Sequence, residues 1–150
     1  MIDRRFIGHQ MPAFSVDVEP GRLRFFAKAT GQTDPVYFDD AAARAAGHRA
    51  LPVPPTFLFC LEMDAPNPAA IRELLGMDYR TLLHGEQGFV YHRMAHAGDR
   101  LTFEQRIDDI HDKKGGALEF VVRKTRVHNQ HDELVAELRT VTVIRNNVAA

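Results

Sequence analysis

Thr56-Phe57-Leu58-Phe59-Cys60-Leu61-Glu62-Met63 is the stretch on which the fold turns. It is apolar nearly all round, so the element it forms is enclosed by the chain rather than laid on a surface. So short a run does not separate helix from strand by periodicity alone. The lead-in Pro52-Val53-Pro54-Pro55 favours a helix, with Phe57, Leu58, Cys60 and Leu61 excluded from solvent. A thiol in apolar surroundings is raised in pKa and inert, so Cys60 reads as core filler. As the one cysteine of the chain it cannot form an internal disulfide, which fits a reducing, cytoplasmic setting.

Upstream of this run, Phe14-Ser15-Val16-Asp17-Val18 alternates apolar and polar residues, the period of a half-buried strand. Pro20 then opens a helix whose Leu23, Phe26, Ala27 and Thr30 recur at helical spacing, and Gly31 stops it. Asp39 or Asp40 caps a second, alanine-rich helix over Ala41 to Ala46, closed by Gly47. A short helix is predicted around Ala69 to Leu75.

Downstream, from His84, the texture changes to strands. Phe89 to Met94 is aromatic and β-branched, and Leu101 to Ile107 is apolar at odd positions. Lys113-Lys114-Gly115-Gly116 marks a hairpin. Leu118, Phe120 and Val122 fall on one face of the next strand. Asn129-Gln130-His131-Asp132 turns into a last strand, Leu134 to Ile144. The pattern predicts one α+β domain over residues 1–150, in which a four-strand antiparallel meander curls around the apolar helix. That is the hot-dog arrangement. Its open strand edges call for pairing with a second chain, as a homodimer or a heterodimer.

Composition excludes other classes. Lys plus Arg number 19 and Asp plus Glu 20, a formal charge of −1, so no basic field exists to attract nucleic acid. No apolar run approaches the roughly 20 residues of a membrane span, and Met1 to Gly8 has no secretory character.

Two segments resemble the MaoC-like dehydratase/hydratase family. Ala29-Thr30-Gly31-Gln32-Thr33-Asp34-Pro35-Val36-Tyr37-Phe38-Asp39, followed by Ala45-Ala46-Gly47, is similar to its Gly-Asp-x-Asn-Pro-x-His string. Phe89 to Leu101 is similar to its aromatic strand ending in Gly-Asp-x-Leu, with Met94 where proline is frequent. The resemblance covers roughly Phe14 to Ile144 and is nearest the N-terminal-type domain, including the non-catalytic HadA-type subunit. It implies an acyl-CoA or acyl-carrier-protein thioester as ligand, no cofactor, and water addition to or removal from 2-enoyl/3-hydroxyacyl groups in fatty acid metabolism.

That chemistry needs a carboxylate and an imidazole gripping one water, and donors at the start of the central helix that polarise the thioester carbonyl. Here Gln32 stands at the aspartate position, Asp34 at the asparagine position and Tyr37 at the histidine position. Neither glutamine nor a phenol of pKa about 10 is a useful base near neutral pH. The resemblance therefore implies a substrate-binding half that works with a catalytic hot-dog partner. Gln32, Asp34, Tyr37, His48, Thr56 and Phe57 would line the ligand site.

Other residues keep alternatives open. Asp34 is the one carboxylate left in the string, a displaced base or an ordinary Asp-Pro turn former. His84 and Glu86 fall on one strand face at period two, with Gly85 leaving room for a ligand. They would serve a self-sufficient hydratase or a hot-dog thioesterase, or else a polar strand end. His48 follows a helix-terminating glycine, where a cation suits the dipole, or it faces the thioester. His92 and His96 share the parity of His84, but such spacing does not converge ligands, and no metal is expected. Arg22, Arg24, Lys28, Arg44 and Arg49 would grip coenzyme A phosphates or are plain solvated surface. A non-enzymatic acyl-thioester binding module is the remaining class.

Overall fold

The computed structural model describes residues 1–146. Its first strand, β1 (Phe14–Asp17), leads into α1 (Pro20–Ala29), which Pro20 starts and which buries Leu23 and Ala27. Asp39 caps α2 (Asp40–Ala45) by accepting from the Ala42 N–H at 2.7 Å. The apolar run forms α3 (Phe57–Glu62), and α4 (Ala70–Leu74) follows. The strands β2 (Leu82–Tyr91), β3 (Arg100–Lys113), β4 (Leu118–His128) and β5 (Leu134–Arg145) complete the chain. No helix among the described residues is long and apolar enough to cross a membrane.

The five strands form one antiparallel sheet in the order β1-β3-β4-β5-β2. Only β3, β4 and β5 run as a meander. The predicted four-strand meander is corrected here, because β2 lies beyond β5 and does not pair with β3. The segment between Tyr91 and Arg100 is not a tight turn. Its backbone bonds to other parts of the chain, with Val53 N–H on Ala95 O at 2.9 Å, Ala97 N–H on Leu51 O at 2.8 Å and His92 N–H on Val135 O at 2.8 Å. These bonds carry the chain across one end of the sheet. The aromatic strand accordingly ends at Tyr91 and leaves Arg93 and Met94 outside it.

α3 packs into the sheet as the sequence predicts, with one correction. Phe57, Leu58 and Leu61 are buried with Phe103, Val127, Ala136 and Leu138, each of the larger side chains contributing about 1.5–3 kcal/mol. Cys60, expected in the core, is only half-buried, because α3 turns Phe59 and Cys60 to its outer side. Burial still pushes its thiol pKa up, against the neighbouring Arg22 charge.

Leu118, Phe120 and Val122 share one face of β4, as the alternation predicts. Val121, Thr125 and Val127 on the other face join the core, Val122 is buried too, and Phe120 is half-buried and stacks on His111 with ring centroids 5.0 Å apart. A register shift between Ile107 and Asp109 moves the inward parity of β3 from Phe103 and Ile107 to Ile110.

A second shift falls between His84 and Glu86. A Cβ on Gly85 would lie 2.7 Å from Val143 Cγ2 and 3.1 Å from the Val141 carbonyl oxygen. Glycine is needed there so that β2 can approach β5 through the bulge. Gly85→Ala is expected to lower stability by about 1–3 kcal/mol. Gly88→Ala, whose added Cβ meets nothing closer than 3.8 Å, is expected to change little. Urea unfolding of the two variants checks this, and equal midpoints would contradict the need for glycine.

Candidate functional site

The loop after α1 is fixed at both ends by local chemistry. Thr30 returns its hydroxyl to the Phe26 carbonyl at 2.9 Å, and Gly31 takes a positive φ of 74°. Asp34 accepts from the Val36 N–H at 3.0 Å and so caps a 3-10 turn over Pro35–Tyr37. Its carboxylate is exposed and engaged in that turn. Arg24 ties down the far end, donating to the Phe38 carbonyl at 2.8 Å and to Asp40 at 2.9 Å. Gln32 sits half-buried at the start of the loop.

The turn delivers Tyr37 to the wall of an apolar slot of about 300 Å³. Val53, Pro55, Leu58 and Val135 line the slot, and Tyr91 and His92 stand at it as well. Thr56, the N-cap of α3, has a positive φ of 69° and donates its backbone N–H to the Tyr91 hydroxyl at 2.9 Å. Thr56 is therefore next to the slot through Tyr91. Phe57 belongs to the core beneath, against Phe26 at 4.9 Å between ring centroids.

The remaining sequence-derived residues disperse. His84 meets the Phe59 ring edge-on at 5.2 Å, whereas the Glu86 carboxylate pairs with Arg139. The Gly85 bulge separates the partners of the two residues, Thr142 and Val141, and no hydrogen bond joins His84 to Glu86 among the described residues. His92, by contrast, has a carboxylate partner, with Nε2 3.0 Å from Glu137 Oε2. His48 Nδ1 lies 3.3 Å from His96 Nε2. Burial, and next the Arg49 charge, hold the His96 imidazole below its usual pKa. The three histidines of like parity thus go to three neighbourhoods. Among the basic residues, Arg22 is taken by Asp64, Arg24 by Asp40 and Arg49 by Asp99.

Two features were not singled out from the sequence. One is the His92–Glu137 contact across β2 and β5, which depends on a register that periodicity does not contain. The other is Glu62, which ends the apolar run and is 2% exposed.

A curled antiparallel sheet around a short apolar helix, with a capped loop delivering its third side chain to an apolar slot, defines a MaoC-like hot-dog domain of the dehydratase/hydratase kind. The chain belongs to the FAS1-like dehydratase domain region family, whose model matches residues 5–138. A UPF0336 protein of Streptomyces griseus subsp. griseus is 37% identical over 147 residues, covering 96% of this chain and 95% of its own length. The C-terminally truncated HadBC (3R-hydroxyacyl-ACP dehydratase) complex from Mycobacterium tuberculosis superposes with a TM-score of 0.77 at 27% identity, over 92% of this chain and 96% of that one. A MaoC-like dehydratase superposes with a TM-score of 0.83 at 25% identity, over 95% of this chain and 43% of the other.

Proposed function

We propose that this chain is the substrate-binding half of an acyl-thioester dehydratase or hydratase, acting on 3-hydroxyacyl or 2-enoyl groups carried by coenzyme A or acyl carrier protein. The observation that carries the reading is the loop over residues 30–39. Its capped frame holds Tyr37 at the apolar slot, where the family string has its histidine, and Gln32 replaces the aspartate. The protein thus keeps the slot and lacks the proton-handling pair, which a second hot-dog chain would supply. The long edge strand β2 supports such a partner, since it exposes Leu83, Val90 and Tyr91 along an unpaired margin of the sheet. The likeness to the HadBC complex supports it too.

A second reading makes the chain a self-sufficient hydratase. His92, held by Glu137 beside the slot, favours it more than His84 and Glu86 do. Equilibrium binding and turnover of crotonyl-CoA by the purified chain separate the two. Binding with negligible hydration is the expected result. Hydration that His92→Ala abolishes would establish the second reading instead, and absence of both binding and turnover would overturn the first.

A further inference from the structure

A second cleft, of about 600 Å³, adjoins the apolar slot and shares His92, Arg93 and Met94 with it. Its character is different. Arg49, Arg93, His96, Asn129, Gln130 and His131 bring donors to one place. The slot is apolar, whereas the adjoining cleft is built of cations and amides with one carboxylate, Glu133, on its wall.

The arrangement is held from below by Asp99, whose side chain is 2% exposed. One of its oxygens accepts from Arg49 and from Gln130 Nε2, the latter at 3.0 Å, and the other from the His96 N–H at 2.8 Å. Burial alone would raise this carboxyl; the His96, Gln130 and Arg49 donors outweigh it and hold Asp99 below the usual carboxylate range. Asp99 is thus a fixed anion that sets Arg49 and Gln130 in place. Arg49 itself is 54% exposed, so the guanidinium donors not bound to Asp99 remain open to the cleft. The turn behind is equally fixed, since Asn129 Oδ1 accepts the N–H groups of His131 and Glu133, each at 3.0 Å. Among the described residues Arg93 pairs with Glu133 alone, at 3.6 Å and in solvent, a contact too weak to occupy it.

We propose that this cleft seats the phosphate of the thioester's carrier, with Arg49 and Arg93 as its principal cations and Gln130 and His131 as further hydrogen-bond donors. Arginine offers the planar paired donors that phosphate oxygens take best. The proposal rests on the reading of the neighbouring slot as the acyl site. The phosphate would belong either to a phosphopantetheine arm or to the nucleotide of coenzyme A.

Calorimetric titration of the whole chain with four probes tests it: crotonylpantetheine, crotonyl-4′-phosphopantetheine, crotonyl-CoA and free coenzyme A. Phosphate-bearing crotonyl probes are expected to bind about tenfold or more tighter than crotonylpantetheine. Arg49→Gln, which touches the cleft alone, should erase most of that gain and leave crotonylpantetheine affinity unchanged, and Arg93→Gln, at the border of slot and cleft, should lower the phosphate-bearing probes more than crotonylpantetheine. An advantage already complete with phosphopantetheine assigns the cleft to the arm, and one appearing only with crotonyl-CoA assigns it to the nucleotide. Equal affinity for all crotonyl probes, or arginine variants that weaken every probe alike, would overturn the cleft and leave the slot standing. Free coenzyme A binding in an arginine-dependent way while crotonylpantetheine does not bind would overturn the slot and keep the cleft. No binding of any probe would overturn both.

Discussion

Gln32→Asp combined with Tyr37→His is expected to raise crotonyl-CoA hydration by the chain about 10²–10⁴-fold, the usual contribution of positioned acid–base groups. The frame for the pair already exists. Thr30 and Gly31 terminate α1 in the geometry the loop needs, Asp34 caps the turn, and Pro35 fixes its first residue. None of these is altered by the substitutions. A histidine at residue 37 takes over a position on the slot wall that the tyrosine ring now fills, beside Leu58 and Tyr91. Its pKa of about 6.5 lets it exchange a proton near neutral pH, which the phenol does not. An aspartate at residue 32 supplies the carboxylate that glutamine cannot mimic as a base. Water activation needs both groups, so either single variant should gain far less than the pair. Steady-state loss of the enoyl thioester, with binding measured in parallel, reads the effect. A double variant that binds crotonyl-CoA as the native chain does and still hydrates no faster would show that the loop does not face the reacting carbons.

Much of this loop was legible because its causes are local. An N1 proline, Asp caps at residues 34 and 39, and stop glycines at 31 and 47 act within a turn of themselves, so spacing alone places α1 and α2. The apolar run likewise announced an enclosed helix. What escaped was everything decided between strands. β2 reads as a neighbour of β3 because the two are consecutive, yet the segment 92–99 bonds to residues 51, 53 and 135 and takes β2 to the other side of β5. Which face of β4 joins the core was equally hidden, since Leu118, Phe120 and Val122 make the more apolar row, yet β4 buries Glu119 and Thr125 on the parity that Val121 and Val127 share. His84 and Glu86 looked paired on a regular pleat. A glycine bulge, visible only as a close approach to Val141 and Val143, sends them to different partners. Likewise, of the cations that sequence order spread over residues 22 to 49, Arg22, Arg24 and Arg49 separate into individual ion pairs, and the cleft draws Arg93 and His131 from elsewhere.

Glu62 gives the largest expected loss of stability. It closes an apolar run, and a reading by pattern places its charge at a helix end in water. The fold instead buries it under three donors: Gln105 Nε2 at 3.1 Å, the Thr125 hydroxyl, and Arg123 at 2.7 Å. Arg123 continues to the Thr140 hydroxyl at 3.3 Å, which in turn donates to Gln87 at 2.8 Å. These residues form a polar belt across the inner sheet. On β3 Gln105 lies between Phe103 and Ile107, and on β4 Arg123 and Thr125 lie between Val121 and Val127. On β5 Thr140 lies between Leu138 and Ile144. In each case one flanking apolar residue belongs to the core cluster around α3 and the other to the cluster of Leu75, Met77 and Ile110. The belt therefore divides the interior in two, and Glu62 is its only carboxylate. Glu62→Met leaves the Arg123 guanidinium, 18% exposed, without its counter-charge and strips acceptors from Gln105 and Thr125. Breaking a buried pair from one side typically costs about 3–5 kcal/mol, whereas replacing both partners by apolar residues of similar volume is often far milder. Glu62→Met together with Arg123→Met should consequently unfold at a higher urea concentration than Glu62→Met alone. If the single variant loses less than about 1 kcal/mol, Arg123 has reached water and the belt is not what holds the two clusters in register.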